Sequence, residues 1–375
     1  MSATLAAELA TDLVTDLVTE PAPAVEPVVR VPKRMRFGYW MPVFGGWLRN
    51  VDDEQMDASW AYTKRLAQRS EVLGYDLTLI AELFLNDIKG ADAPALDAWS
   101  TAAALAAVTE SLELMVAVRP QYHPPAQLAK QAANIDQIAN GRLALNVVSA
   151  WWADEARRYG VHFDKHDDRY ARTSEWLDVV NGAWSQPRLT HSGSYYTVDD
   201  LIVEPKPVRR PRPTIYAGGE SDTAKTLIAG KCDAYVMHGD PADRVAPKVA
   251  DMRRRREAAG LGEMEYGMAA YVIVRDSERE AERERARITN VAVGSPGYHN
   301  YQDWLANTQL EQRVTLEDYS VSNRGLRAGL VGTAEQVAEQ IRGFQHVGVD
   351  LLLLQCSPQL EEMERFAETV MPLVG

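Results

Sequence analysis

Short apolar runs alternate with amphipathic stretches along most of this chain. Met35–Met41 (MRFGYWM), Asp76–Ala81 (DLTLIA), Leu112–Val118 (LELMVAV) and Leu143–Val148 each read as a buried strand, as do Pro213–Ala217, Ala234–Met237, Tyr266–Val274 and Val349–Leu354. Helical spacing fills the intervals: Asp53–Gly74, Ala95–Thr109, Pro125–Ala139, Arg169–Trp184, Asp222–Ala229, Ala242–Ala259, Ser277–Asn290 and Ala334–His346, with Gln359–Val370 last. In the first of these, Trp60, Leu66 and Val72 are expected on the buried face. Gly193–Val203 (GSYYTVDDLIV) reads as a small hairpin outside the alternation. Strands separated by helices imply βα units and a parallel sheet. Eight such strands, near 36, 77, 114, 145, 215, 235, 270 and 351, predict an α/β fold, a (β/α)8 TIM barrel. A doubly wound sheet is the competing layout, but no GxGxxG follows the first strand.

Two segments break the rhythm. Residues 1–34 are rich in Ala, Thr, Leu, Val, Glu and Pro, and are expected to form a disordered extension and linker ahead of a barrel domain at 35–375. Val291–Arg327 has little periodicity. A loop this long in a compact domain is usually functional or disordered, so a solvated insertion is the competing reading. It precedes the last βα unit, so it is a candidate lid over the C-terminal mouth.

Composition changes the picture only by exclusion. The 46% hydrophobic and 25% charged residues are those of a soluble globular chain, and no apolar run reaches the ~20 residues of a membrane helix. The N-terminus lacks a basic segment followed by an apolar core, so the cytoplasm is the expected compartment. A net charge of −13 argues against nucleic acid or an anionic membrane as partner. Cys232 and Cys356 give neither a disulfide framework nor zinc spacing, and no pair among the seven histidines has HExxH spacing, so no metal site is expected.

The chemistry concentrates between Asn134 and Tyr170. A helix ends, the chain turns at Asn140-Gly141, and a buried strand runs to a rim bearing Asn146, Ser149, Trp151, Trp152 and Glu155, with Arg169 and Tyr170 beyond. Barrels keep their active sites at the C-terminal ends of their strands. A buried strand Asn is costly unless partnered, and its fixed amide suits a heterocycle edge. Gly218-Gly219-Glu220-Ser221 joins a strand to a helix. It reads either as an anion site at a helix start or as a plain connection capped by Ser221 or Asp222. Arg169 and Tyr170 likewise read as ligand contacts or as part of a helix start capped by Asp167 and Asp168. His238 ends the sixth strand and faces the mouth.

In order, MRFGYWMPV, LMVAVRP, GRLALNVVSAWWADE, HDDRY, YAGGESD, LVGTAEQVAEQI and GVDLLLLQCSP resemble the bacterial-luciferase-like flavin monooxygenases over about residues 35–375. TLEDYSVSNRGLRAGLVGT is most similar to the reduced-FMN-dependent dimethyl sulfone enzymes of that family, with the alkanesulfonate and pyrimidine monooxygenases as neighbours. The resemblance implies a TIM barrel that binds FMNH2, supplied by a separate NAD(P)H:flavin reductase, and reacts it with O2 to a flavin-peroxide. A dimer or tetramer is implied by the same analogy. Position by position, it places Glu82, Asn146, Ser149, Glu155, Arg169 and Tyr170 at the flavin, and Gly219 with Ser221 at its phosphate. Trp40, Trp47, Trp151 and Trp152 are expected to wall the pocket. His238 and Tyr271 are the expected mouth-facing catalytic groups, weakly assigned because the cofactor does the hard chemistry.

There are departures. Ala150 stands where the family motif has Gly, and Glu220 where many relatives have Ser. Sulfonate oxidisers carry an Arg and a His on the seventh strand, matched here by Ala269 and Tyr271, and a Tyr and a His after the last strand, matched by Ser357 and Gln359. Burying a sulfonate without a cation is expensive, which favours a small neutral organosulfur substrate. A sulfonate or heterocycle oxygenase, a non-catalytic flavin-binding barrel and a deazaflavin-using relative are the alternatives.

Overall fold

The computed structural model describes residues 34–49, 54–149, 152–290 and 320–375, with isolated positions in between. The N-terminal extension, Trp151 and most of the expected lid lie outside the described residues.

Eight parallel strands close into a barrel: β1 (Arg36–Met41), β2 (Leu77–Ile80), β3 (Glu113–Val118), β4 (Leu143–Val147), β7 (Thr214–Ala217), β8 (Ala234–Met237), β9 (Glu265–Tyr271) and β12 (Leu351–Gln355). The order around the ring is β1-β12-β9-β8-β7-β4-β3-β2. Two small pairs lie outside it. One is an antiparallel hairpin of β5 (Leu189–Ser192) with β6 (Thr197–Leu201), four residues earlier than the pattern suggests at its first strand. The other, β10 (Ile273–Val274) with β11 (Val331–Gly332), is too short to leave a periodic signal.

Period-two alternation builds two cores. Leu77 and Leu79, Leu351 and Leu353, Met115 and Ala144 point into the barrel. Their neighbours Ile80, Leu352, Leu354, Val116 and Leu145 point outward, into the larger core under the helices. The turn at Asn140-Gly141 forms as expected, with both residues at positive φ (52° and 84°). The first helix, Trp60–Val72, corrects the expected face. Tyr62, Thr63, Leu66, Ala67 and Ser70 are buried, whereas Trp60 is 41% and Val72 75% exposed. Steps of six residues rotate about 600° around a helix, so 60, 66 and 72 cannot share a face.

The N-terminal end of the barrel is shut by a polar cluster. Arg36 donates to Tyr216 (3.0 Å) and Glu265 (2.8 Å), and Tyr216 donates to Glu113 (3.1 Å). At the other end the 3-10 turn Ser322–Ala328 presses onto the strand ends. That approach needs two glycines: a Cβ at Gly239 would sit 2.5 Å from the Arg324 carbonyl, and one at Gly325 2.7 Å from the Tyr271 nitrogen. Among the described residues no helix is long and apolar enough to cross a membrane.

Candidate active site

The strands' C-terminal ends surround a cavity of about 290 Å³. Its apolar wall includes Trp40, Phe44, Trp47, Leu79, Val148 and Val236. Trp40 and Trp47 meet edge to face at 6.5 Å. Trp152 does not line the cavity.

Among the described residues three arginines reach this cavity, and each meets a carboxylate. Arg49 pairs with Asp87 at 3.1 Å. Arg119 lies between Glu82 (3.4 Å) and Glu155, with its guanidinium 4.1 Å from the Tyr122 ring centroid. Arg324, only 3% exposed, pairs with Glu220. Lys248 backs that pair, 3.6 Å from Glu220 and 2.7 Å from Asp240. Burial alone would raise the Glu220 carboxyl, but His238 when protonated, with Arg324 and Lys248, overrides it and holds it at about 2. The positive charge on this wall is therefore matched within the protein. Glu220 faces Arg324 rather than a phosphate, which answers the difficulty its position raises.

His238 follows β8 and lines the cavity. Withdrawal from bulk water, helped by the nearby Arg324 charge, pushes its imidazole down to about 4 against the pull of Glu220. Its remaining accessible surface faces the cavity, so at neutral pH it is an uncharged ring with no proton to give as a strong acid. Tyr271 does not line the cavity. It is 1% exposed, its backbone packs against Gly325, and burial raises its phenol well above the ordinary value.

The other expected residues separate into three groups. Asn146, Glu82 and Gly219 line the cavity. Asn146 is the inward-facing partner of Ala144 on β4, is 8% exposed, and among the described residues its side-chain amide makes no hydrogen bond. Glu82 is held by the Arg119 backbone N–H (2.9 Å) and by His123 (2.6 Å). Ser221 and Tyr170 sit together beside Gly219. Ser221 caps the helix Asp222–Lys231 by accepting from the Ala224 N–H (3.2 Å), and burial raises the Tyr170 phenol against the opposing influence of the Ser221 hydroxyl. A Cβ on Gly219 would lie 3.3 Å from the Tyr170 hydroxyl.

Ser149, Glu155 and Arg169 do not line the cavity. Ser149 hydrogen-bonds Thr173 at 3.0 Å. Glu155 is fully buried and gathers the backbone N–H groups of Phe84 (2.6 Å) and Leu85 (3.3 Å) with Arg119 and the Tyr122 hydroxyl (3.3 Å), so it anchors the loop after β2. Arg169 stacks on Phe163 at 4.6 Å and donates to the Asp164 carbonyl, leaving its buried Nε without a partner.

Sequence reasoning passed over Arg119, Arg324 and Gln355. Gln355 carried the same signal as Asn146, a polar residue closing a buried strand. The position matched to the sulfonate enzymes' second histidine is occupied structurally: Gln359 accepts from Trp47 Nε1 (2.7 Å). Among the described residues no cluster of His, Cys, Asp and Glu has the makings of a metal site.

This arrangement of an apolar-walled cup, an amide unpartnered among the described residues and a capped helix start suits a flavin. Asn146 offers the heterocycle edge a donor and an acceptor, and the Ser221–Tyr170 corner offers hydroxyls and a helix start to a phosphate. The profile of the luciferase-like monooxygenases matches residues 35–351. Two FMNH2-dependent dimethylsulfone monooxygenases, from Pseudomonas fluorescens (strain Pf0-1) and Pseudomonas putida, are 35% and 34% identical, over 91% of this chain and 94% and 95% of theirs. Among solved structures, a long-chain alkane monooxygenase superposes with a TM-score of 0.78 at 19% identity, covering 91% of both chains. DmoA from Hyphomicrobium sulfonivorans also gives 0.78 at 19% identity, over 91% of this chain and 88% of that one. On its sequence, its barrel and its C-terminal cavity, this chain belongs to the luciferase-like monooxygenases, flavin-dependent enzymes that act with O2.

Proposed function

We propose that this chain is the oxygenase of a two-component system that takes reduced FMN from a separate NAD(P)H:flavin reductase and oxygenates a small neutral organosulfur compound of the dimethyl sulfone type. The observation that carries the choice of substrate is the charge balance of the cavity. Arg49, Arg119 and Arg324 are paired with Asp87, Glu82 and Glu155, and Glu220, so among the described residues a sulfonate entering there meets no surplus positive charge. A sulfone carries strong acceptor oxygens and no charge. The similarity to dimethylsulfone monooxygenases supports the same reading.

When bound, reduced FMN supplies the electrons that activate O2. The protein's part is to bind, orient and keep water out. Asn146 holds the ring edge, Glu82 lies alongside, and Ser221, Tyr170 and the Gly219 turn hold the phosphate. The Trp40–Trp47 pair and Leu79 exclude water from the reacting face. His238 stays neutral and shapes the wall. Reliance on NAD(P)H puts the pair in the cytoplasm, and a homo-oligomer is the expected assembly.

The test is an assay with a generic reductase, NADH and O2, comparing dimethyl sulfone with methanesulfonate and a pyrimidine, products read by mass spectrometry. Sulfone-dependent product is expected. Product from methanesulfonate alone overturns the neutral-substrate reading. FMN binding with no product from any of them favours a non-catalytic barrel.

A further inference from the structure

Gln355 closes β12 and lines the cavity, yet is 0% exposed, and neither its Oε1 nor its Nε2 has a hydrogen-bond partner among the described residues. Trp40 lines the same cavity, and its buried Nε1 is equally without a partner. The two are neighbours: β1 and β12 pair in parallel with Tyr39 opposite Leu354, so the next position on each strand sets Trp40 beside Gln355. Buried amides and indole N–H groups are rarely left unmatched in a folded protein, and those that are call for an explanation. The nearby Gln359 shows the contrast, with both ends of its amide engaged by Trp47 and Met363.

Position around the ring says what the unmatched pair faces. From β12 to β4 is four strands in either direction, through β9, β8 and β7 or through β1, β2 and β3. Gln355 therefore stands across the barrel from Asn146. If Asn146 and the Gly219 turn hold the flavin, the Gln355–Trp40 wall looks at it across the space left for a small molecule.

We infer that Gln355 and Trp40 form the substrate subsite, donating from the Gln355 amide and the Trp40 indole N–H to the oxygens of a neutral polar acceptor. Both donors are uncharged, which suits a sulfonyl oxygen and gives no electrostatic reward to a sulfonate. The Gln355 carbonyl oxygen meets the polarised methyl hydrogens beside the sulfonyl group. This rests on the neutral-substrate reading above and names the side chains that recognise it.

The experiment uses the full chain loaded with reduced FMN under anaerobic conditions. It measures dimethyl sulfone binding, then KM and kcat after admitting O2, for wild type, Gln355→Leu and Trp40→Phe. Gln355→Leu removes the amide at nearly constant bulk, and Trp40→Phe removes the indole N–H with a modest loss of bulk. Unchanged reduced-FMN affinity in each variant serves as the check on folding. Each variant is expected to weaken sulfone binding and raise KM by tenfold or more. Equal sulfone affinity in wild type and both variants overturns the subsite. Sulfone bound by wild type, weakened in the variants, but never oxidised leaves the subsite standing and removes the proposed reaction. No sulfone binding by the wild-type complex removes both.

Discussion

Arg324 and Glu220 form an ion pair across 104 positions of sequence, bringing the turn before the last βα unit onto the loop after β7. Arg324 holds a left-handed backbone at φ 55° to make that contact, a conformation costing on the order of 1 kcal/mol. Its partner sets the sign of the wall. Glu220→Gln keeps the shape and removes the negative charge, so the Arg324 guanidinium gains a net positive site. Methanesulfonate and sulfate are expected to become competitive inhibitors, with inhibition constants at least tenfold lower than for wild type. Steady-state inhibition at fixed ionic strength measures this, and identical constants would remove Glu220 as the neutralising group.

Asn146→Ala and Ser221→Ala are expected to weaken reduced-FMN binding for different reasons. The first removes a neutral hydrogen-bonding group worth about 1 kcal/mol, or about fivefold in affinity, and leaves apo stability nearly unchanged. The second also removes the N-cap of the helix Asp222–Lys231, so the apoprotein loses about 1 kcal/mol as well. Anaerobic fluorescence titration with denaturant melts separates the two. Unchanged affinity in both would mean the flavin lies elsewhere.

His238 makes stability depend on pH in a defined window. Its folded pKa of about 4 lies below the unfolded value near 6.5. At pH 7 neither state binds the proton. As pH falls from about 6.5 to about 4 the unfolded chain takes it up and the native state does not, so stability is lost across that interval. The loss between pH 7 and 5 is roughly 2 kcal/mol. Glu220, held at about 2, stays ionised throughout this range. The wild-type unfolding free energy minus that of His238→Gln, measured at both pH values in urea, should shrink by that amount; a pH-independent difference would contradict it.

Much of this was legible beforehand, and the reason is periodicity. All eight barrel strands fall where the apolar runs put them, because a strand buried on both faces needs an unbroken apolar stretch. Asn146 stood out because one polar residue interrupts such a stretch near its end, and Gln355 after Leu351–Leu354 carries a like signal. The Glu220–Arg324 pair left no such trace: it joins two loops, and loops carry no period. The partners of Glu155 were hidden for a related reason: the loop 84–85 and Arg119 converge on it from elements far apart in sequence.

That convergence predicts a division of labour. Glu155→Gln leaves Arg119 short of a charged partner in a buried setting and is expected to cost roughly 3 kcal/mol of stability, visible as a lower melting temperature in the apoprotein. Tyr271→Phe, in contrast, touches no cavity surface and should leave kcat and KM within about twofold. A Glu155→Gln protein with wild-type melting behaviour, or a Tyr271→Phe protein with collapsed kcat, would reverse the two roles.

The polar cluster of Arg36, Tyr216, Glu113 and Glu265 shuts the far end of the barrel, and Leu77, Leu351, Met115 and Ala144 fill the space above it. The described barrel is thus a blind alley. In the proposed reaction, cofactor, gas and substrate share one doorway, and the spent cofactor leaves the way it came.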